Sequence, residues 1–321
     1  MPKYSFIIPV YNRPDEVDEL LGSLSKQTVS DFEVVVVEDG SDKDCEAVVA
    51  NFADSLDLYY HRIPNSGPGQ ARNQGANKAR GVWFVFLDSD TLLPPDYLRH
   101  VDQYVSSTNV DAYGGADRDK KDFLPIQRAI SYSMTSMLTT GGIRGRNKSM
   151  ERFKPRSFNM GIKRSVFEQL GGFGSMRYGE DIDFSIRIES AGCRTAFIPD
   201  AFVYHKRRTS FSAFFAQIHH SGEARIMLSK LHPGSLKTVH LFPFLFTSGL
   251  VLSLLFLVLF PFLGSALVAV YLFYFLLIGL HATWTSRNIL VGLMAIAASL
   301  IQLTAYGIGF FKAGIYSIMK R

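Results

Sequence analysis

The sequence predicts an α/β fold, a mostly parallel sheet flanked by helices, followed by an all-helical segment of membrane-spanning character. Two observations carry this. Through residue 118, short apolar, β-branched runs alternate with helix-like stretches, the pattern of a parallel sheet built by right-handed crossovers. From Leu241 onward the chain has no Asp or Glu, and its formal charges there are Arg287, Lys312, Lys320 and Arg321.

The strands come first. "YSFIIPV" (4–10) and "FEVVVVED" (32–39) are continuous apolar runs, as strands buried on both faces require. Between them, "PDEVDELLGSLSKQ" (14–27) spaces Val17, Leu20, Leu21 and Leu24 at helical intervals. "DCEAVVANFADS" (44–55) reads as a helix, "LDLYYHRIP" (56–64) as a strand, and "GPGQARNQGANKAR" (67–80) as a loop entering a helix. "GVWFVFLDSD" (81–90) and "VDAYGGADR" (110–118) add strands. Residues 119–157 are less regular, and "GIKRSVFEQLGGF" (161–173) and "YGEDIDFSIRIESAG" (178–192) read as helices. "RTAFIPDAFVYH" (194–205) reads as a strand pair.

The tail is different. Residues 241–280 carry no charge, and Pro261 with Gly264 breaks the run into helices at about 241–260 and 263–281. A third follows at 289–311, each close to the ~20 residues that cross a bilayer. A helix apolar all round belongs in lipid or in a very large core. The expected domains are therefore 1–237, soluble and catalytic, and 238–321, a membrane anchor. Three full spans would put Lys312, Lys320 and Arg321 away from the cytoplasm, against the positive-inside tendency, so part of 305–321 is expected in the interface.

Charge and cysteines narrow the function. Four of the charges behind the net +5 lie in the apolar tail, so the basic surplus reflects an anchor and not nucleic-acid binding. Cys45 and Cys193 lack metal-ligand spacing and suit a reduced compartment. The first apolar run is too short for a signal peptide and reads as a strand, which keeps the first domain cytoplasmic.

Acidic residues gather where the strands end, the side on which open α/β sheets bind ligands. In "FLDSD", Asp88 and Asp90 stand two apart, so both carboxylates can share a face and a hard divalent cation; the same residues suit a turn or a helix cap. "PVYNRPDE" (9–16) either cradles part of a nucleotide or makes a plain turn capped by Asn12 or Asp15. "VEDGSDKD" (37–44) offers Glu38 and Asp39 to a base N–H or ribose hydroxyl, or to a helix N-terminus. "NSGPGQARNQG" (65–75) sets Arg72 among glycines, a combination that suits an anion. "RYGEDIDFSIRI" (177–188) begins with Glu180, Asp181 and Asp183, which either include a general base or complement the helix dipole. The basic stretch 141–156 is a solvated loop or a flap over an anionic substrate.

In their order, "SFIIPVYN", "VVEDGS", "GPGQARNQG", "FLDSD", "FNMGIKRSVFEQLGGF" and "YGEDIDFSIRI" closely resemble the inverting family 2 glycosyltransferases of GT-A fold. The resemblance covers about residues 4–205, and the tail is similar to membrane-anchored bacterial members that build exopolysaccharides and lipid-linked glycans. It implies a nucleotide-diphosphate sugar donor (a UDP- or GDP-sugar), Mg²⁺ or Mn²⁺, and a membrane-associated acceptor. By position it puts Pro9, Tyr11 and Asp39 on the nucleoside, Arg72 near the diphosphate, Asp88 on the nucleotide-sugar side and Asp90 on the metal. Asp181 matches the general base and Glu180 its neighbour. His205 matches a metal-adjacent histidine of some relatives, although a plain core or surface histidine is the simpler expectation. The Gln-x-x-Arg-Trp motif of processive synthases is replaced by Gln217, His220 and Ser221, which points to transfer of single sugars.

The expected function is transfer of one sugar, with inversion, to a hydroxyl of a polyprenyl-diphosphate-linked glycan at the inner membrane. Arg144, Arg146, Lys148 and Arg152 are the expected contacts to the acceptor diphosphate. The nearest rival is a polyprenyl-phosphate glycosyltransferase, whose acceptor phosphate has less need of a base. A sugar nucleotidyltransferase would open on a glycine-rich signature that "SFIIPVYNRP" lacks, and a non-enzymatic scaffold would not need Asp90.

Overall fold

The computed structural model describes residues 1–141 and 153–319. In chain order the elements are β1 (Tyr4–Val10), α1 (Pro14–Leu24), β2 (Phe32–Asp39), α2 (Glu46–Ala50), β3 (Leu58–Ile63), α3 (Pro68–Lys78), β4 (Trp83–Leu87), β5 (Thr91–Leu92), α4 (Tyr97–Ser107) and β6 (Ala112–Arg118). There follow α5 (Pro125–Thr135), α6 (Met137–Thr140), β7 (Asn159–Lys163), α7 (Arg164–Gln169), α8 (Glu180–Ser190), β8 (Thr195–His205) and α9 (Phe211–Leu231). Three long helices close the chain: α10 (Phe242–Leu259), α11 (Pro261–Ser286) and α12 (Ile289–Met319). They form two compact units. One holds Met1–Arg118 and the described part of Arg144–Lys206; the other holds the described parts of Asp119–Ile143 and Arg207–Arg321.

The first unit is built on one sheet of strand order β3-β2-β1-β4-β7-β6-β8-β5. β1 runs parallel to β2 and β4, and β2 parallel to β3, so four neighbouring strands end on the same side. β7 is antiparallel to β4 and β6, and β5 to β8. The sheet is thus mixed, with a parallel half. Strand alternation explains the apolar runs. Phe6, Ile8, Val34, Val36, Val85 and Leu87 point into one core, shared with α1 and α4. Ile7, Val35, Val37, Phe84 and Phe86 point into the other, shared with α3, α7 and α8. Each run is apolar throughout because both faces are covered.

Several elements differ from the sequence reading. α2 is shorter than 44–55, α4 and β7 were not foreseen, and 194–205 is one strand instead of a pair. That strand pairs with β6 along its length, with a register shift between Gly115 and Asp117, and its end pairs with β5 as well. Pro199 and Asp200, residues that commonly interrupt strands, fall within that irregular pairing, between Ile198 opposite Gly115 and Val203 opposite Asp117.

The second unit gathers α5, α6 and α9 with the three apolar helices. Ile130 and Met134 of α5 meet Phe214 and Ile218 of α9 and Ala298 and Ala305 of α12 in one core. α9 lies close on α12: a Cβ on Gly222 would come within 2.3 Å of the Tyr306 carbonyl oxygen, so only glycine admits the approach. This unit therefore takes in residues well before 238. α10, α11 and α12 are long and apolar enough to cross a membrane. α12 is a single helix of 31 residues, about 46 Å long at 1.5 Å per residue, and runs unbroken through the stretch expected at the interface.

Candidate active site

The carboxyl ends of β1, β2 and β4 bring the first group of residues together. Asn12, just past β1, adopts a left-handed conformation with φ +54°. Its side-chain oxygen accepts the N–H groups of Asp42 (2.9 Å) and Lys43 (3.0 Å), and its own N–H donates to the Ser41 hydroxyl at 2.7 Å. Asn12 thus clamps the β1 turn to the β2 turn, with Tyr11 half exposed beside it. Pro9 is partly buried in β1 itself.

The two acids ending β2 divide their work. Glu38 is fully buried and accepts from the Cys45 N–H at 2.8 Å and from the Ser41 hydroxyl, which fixes the loop into α2. Asp39 accepts the N–H groups of Ser66 (2.6 Å) and Gly67 (3.0 Å), shaping the entry to α3. A carboxylate has about four acceptor positions, so Asp39 retains capacity for another donor.

Arg72 projects from α3. That helix lies against β1 and β2 so closely that a Cβ on Gly75 would stand 2.5 Å from the Ile7 side chain. Arg72 is 3% exposed, and its guanidinium spans two carboxylates: Asp88 at 2.6 Å and Glu180 at 2.9 Å. It also faces the Phe173 ring, 5.4 Å from the centroid. The anion it meets here is the protein's own.

β4 ends at Leu87, and the turn to β5 carries Asp88 and Asp90. The Thr91 N–H and hydroxyl both bond the Asp88 carbonyl, closing that turn. Asp90 Oδ2 meets Arg13 Nη1 at 2.5 Å, and Asp90 Oδ1 meets His205 Nε2 at 3.1 Å. The other ring nitrogen of His205 faces the buried carboxylate of Asp117 at 3.6 Å. His205, expected either beside a metal or as an ordinary histidine, stands here because the end of β8 pairs with β5, opposite Thr91.

Asp88, Asp90 and His205 each offer a ligand atom, all within 4.8 Å of one another. Two carboxylates and one imidazole fit a divalent cation: the carboxylates suit Mg²⁺ and Mn²⁺, and the nitrogen donor favours Mn²⁺. The Asp117 carboxylate on the far nitrogen is the usual partner of a ligating imidazole. A second grouping, His219, His220 and Glu223 on α9, already has a cation, since Lys312 Nζ is 3.2 Å from Glu223.

α8 begins with the remaining acids. Glu180 is buried beneath Arg72, and its carboxyl is pushed up to about 7 by burial, then by the Asp181 charge, with Arg72 opposing. Asp181 is more open, with one oxygen on Arg156 Nε at 3.1 Å and the other accepting the Ile182 N–H at 2.8 Å. Arg144, Arg146, Lys148 and Arg152 lie outside the described residues. Arg13, Arg156 and Asp117 were not foreseen. Arg13 sits inside the quoted "YNRPDE", but no local pattern says which distant carboxylate a long side chain will reach.

Residues 5–171 match the family described as Glycosyl transferase family 2. The chain is 27% identical to the glycosyltransferase AglE of Haloferax volcanii, over 74% of this chain and 78% of that protein. It is 30% identical to the succinoglycan biosynthesis protein ExoO of Rhizobium meliloti, over 66% of this chain and 63% of that protein. An uncharacterised glycosyltransferase of Haemophilus influenzae is 31% identical, over 65% and 70%. Among solved structures, the mannosyltransferase PcManGT of Pyrobaculum calidifontis, in complex with GDP-Man and Mn²⁺, aligns over 94% of this chain and 87% of its own at 21% identity and TM-score 0.56. TarS 1-349 of S. aureus aligns over 75% and 68% at 22% identity and TM-score 0.52. Both likenesses concern the fold, which is of GT-A type.

Proposed function

The chain belongs to glycosyl transferase family 2, and from that premise we propose that it moves a single sugar, with inversion, from a nucleotide-diphosphate sugar to a hydroxyl of a membrane-associated glycan. The observation that carries the reading is the convergence of Asp88, Asp90 and His205 beside Arg72, Glu180 and Asp181, at the carboxyl end of the parallel half of the sheet.

In this reading Tyr11 stacks on the base and Asp39 accepts one more hydrogen bond from it, with Pro9 alongside. Asp88, Asp90 and His205 would hold Mn²⁺ or Mg²⁺, which supplies positive charge against the departing diphosphate. Arg72 holds Asp88 and Glu180 in place, so the acids arrive already oriented. Asp181 takes the proton of the acceptor hydroxyl. The acceptor oxygen then bonds to the anomeric carbon from the face opposite the diphosphate, and the electrons of the breaking C–O bond leave with that diphosphate. One displacement inverts the configuration.

Support for a membrane-associated acceptor comes from α10, α11 and α12, which would keep the enzyme at the bilayer with its catalytic unit in the cytoplasm. A polyprenyl-diphosphate-linked glycan is the acceptor class that such an anchor suits. Structures of similar fold were solved in complex with UDP-GlcNAc and with GDP-Man, so both nucleotides stay candidates for the donor. The test is release of nucleoside diphosphate from a panel of UDP- and GDP-sugars by the purified full chain with Mn²⁺. Release with at least one donor, lost in Asp90→Ala, is expected. Equal release by Asp90→Ala would remove the metal-centred reading.

A further inference from the structure

Asp88 and Asp90 each lie against an arginine, but the two arginines are held differently. Arg72 is 3% exposed and bridges two carboxylates, so leaving Asp88 would also strand buried Glu180. Arg13 has a side chain 23% exposed, and the carboxylate it meets is Asp90 Oδ2. Its backbone is fixed by the Asn12 clamp on one side and by Pro14 opening α1 on the other, so only the side chain is free to move.

A guanidinium cannot ligate a metal. Arg13 therefore neutralises, through Oδ2, the carboxylate whose charge a divalent cation would need. His205 meets the other oxygen of the same carboxylate at 3.1 Å and belongs to the same grouping that could hold a cation, so it would have no need to leave. We propose that Arg13 is the resident counter-ion of Asp90: it gives up that carboxylate when the divalent cation binds and transfers its guanidinium to the diphosphate of the donor. This rests on the glycosyltransferase reading above. A diphosphate chelated to a cation on Asp90 lies by that bond next to the place Arg13 has left, and the planar fork of arginine suits two phosphate oxygens. Arg13 thereby keeps the acidic turn neutral before loading and makes tight cation binding conditional on the donor.

The consequence is a change of sign between two ligands. Titrating Mn²⁺ alone into the full chain in detergent, by calorimetry or by the electron paramagnetic resonance of free Mn²⁺, should show Arg13→Gln binding about tenfold more tightly than wild type. With Mn²⁺ saturating, the same variant should bind UDP or GDP, whichever wild type prefers, about tenfold more weakly, the scale of one lost charge-assisted contact. Arg13→Lys keeps the charge but not the fork. It should leave Mn²⁺ affinity within about threefold of wild type and still weaken the nucleotide, and it carries the test should Arg13→Gln melt too low to assay. Mn²⁺ affinity equal to or below wild type in Arg13→Gln, or a more than threefold change with Arg13→Lys, would overturn the counter-ion role. Wild type that binds neither Mn²⁺ nor nucleotide would instead refute the transferase reading itself.

Discussion

Arg72→Met removes the buried guanidinium that joins Asp88 to Glu180 and keeps a side chain of similar reach. The structure sets the magnitude. Glu180's side chain is 9% exposed and Asp88's 34%, so the cost falls mostly on Glu180, left charged in a dry site. Breaking a buried pair by deleting one partner costs about 3–5 kcal/mol. For a unit of this size that is a melting-temperature drop of about 6–20 °C. The cost depends on pH. With its carboxyl near 7, Glu180 is largely protonated at pH 5.5 and ionised at pH 8, so Arg72→Met should hurt more at the higher pH. In a Glu180→Gln background the penalty should shrink by about 1–3 kcal/mol, because the stranded charge is gone. Thermal unfolding in detergent, followed by tryptophan fluorescence at both pH values across the four-member cycle, reads all of this. A loss below about 1 kcal/mol, or one insensitive to both pH and Glu180→Gln, would refute the view that Arg72 is held by its own acids.

Two further outcomes follow from single contacts. Because the Glu180 carboxyl is raised in the fold, its contribution to stability is complete below the ordinary carboxylate range near 4.5 and is lost as pH climbs through about 7, ~3 kcal/mol in all; Glu180→Gln should flatten the stability–pH curve over that window. Asn12→Ala should cost about 2 kcal/mol by chemical denaturation, through two lost hydrogen bonds and a left-handed backbone, and Asn12→Gly less, since glycine accepts φ +54° freely.

The parallel half of the sheet was legible in the sequence because both faces of β1, β2 and β4 are covered, leaving unbroken apolar runs. β7 was hidden because "NMGIK" carries a glycine under the Tyr113 ring and a terminal lysine, and only pairing with β4 and β6 makes it a strand. α9 was hidden for a related reason: its buried face mixes Phe214, Ile218 and Leu228 with Gly222 and Ala224, while Phe215, Met227 and Leu231 are exposed, so the apolar residues fall on no single face. In the site, Asp88, Asp90 and Asp181 stand out as acids at element ends. The partners that decide their behaviour do not. Arg13 reaches Asp90 across 77 residues, and Arg72 reaches Glu180 across 108. Long side chains choose partners by tertiary geometry, which no spacing rule encodes. Arg72 was expected beside a diphosphate from its glycine-rich surroundings, and those surroundings could not name the two carboxylates it also bridges.

In the proposed reaction Asp181 is the base of a transfer whose donor is held by other residues. The direct measurement is a paired one on Asp181→Asn with the preferred donor: nucleoside diphosphate affinity in saturating Mn²⁺, and turnover with acceptor. Affinity within about threefold of wild type and turnover down by about 10²–10⁴-fold, the usual worth of a positioned base, are expected. Turnover retained within a few-fold of wild type would contradict it and point to an acceptor already ionised, as a lipid phosphate is.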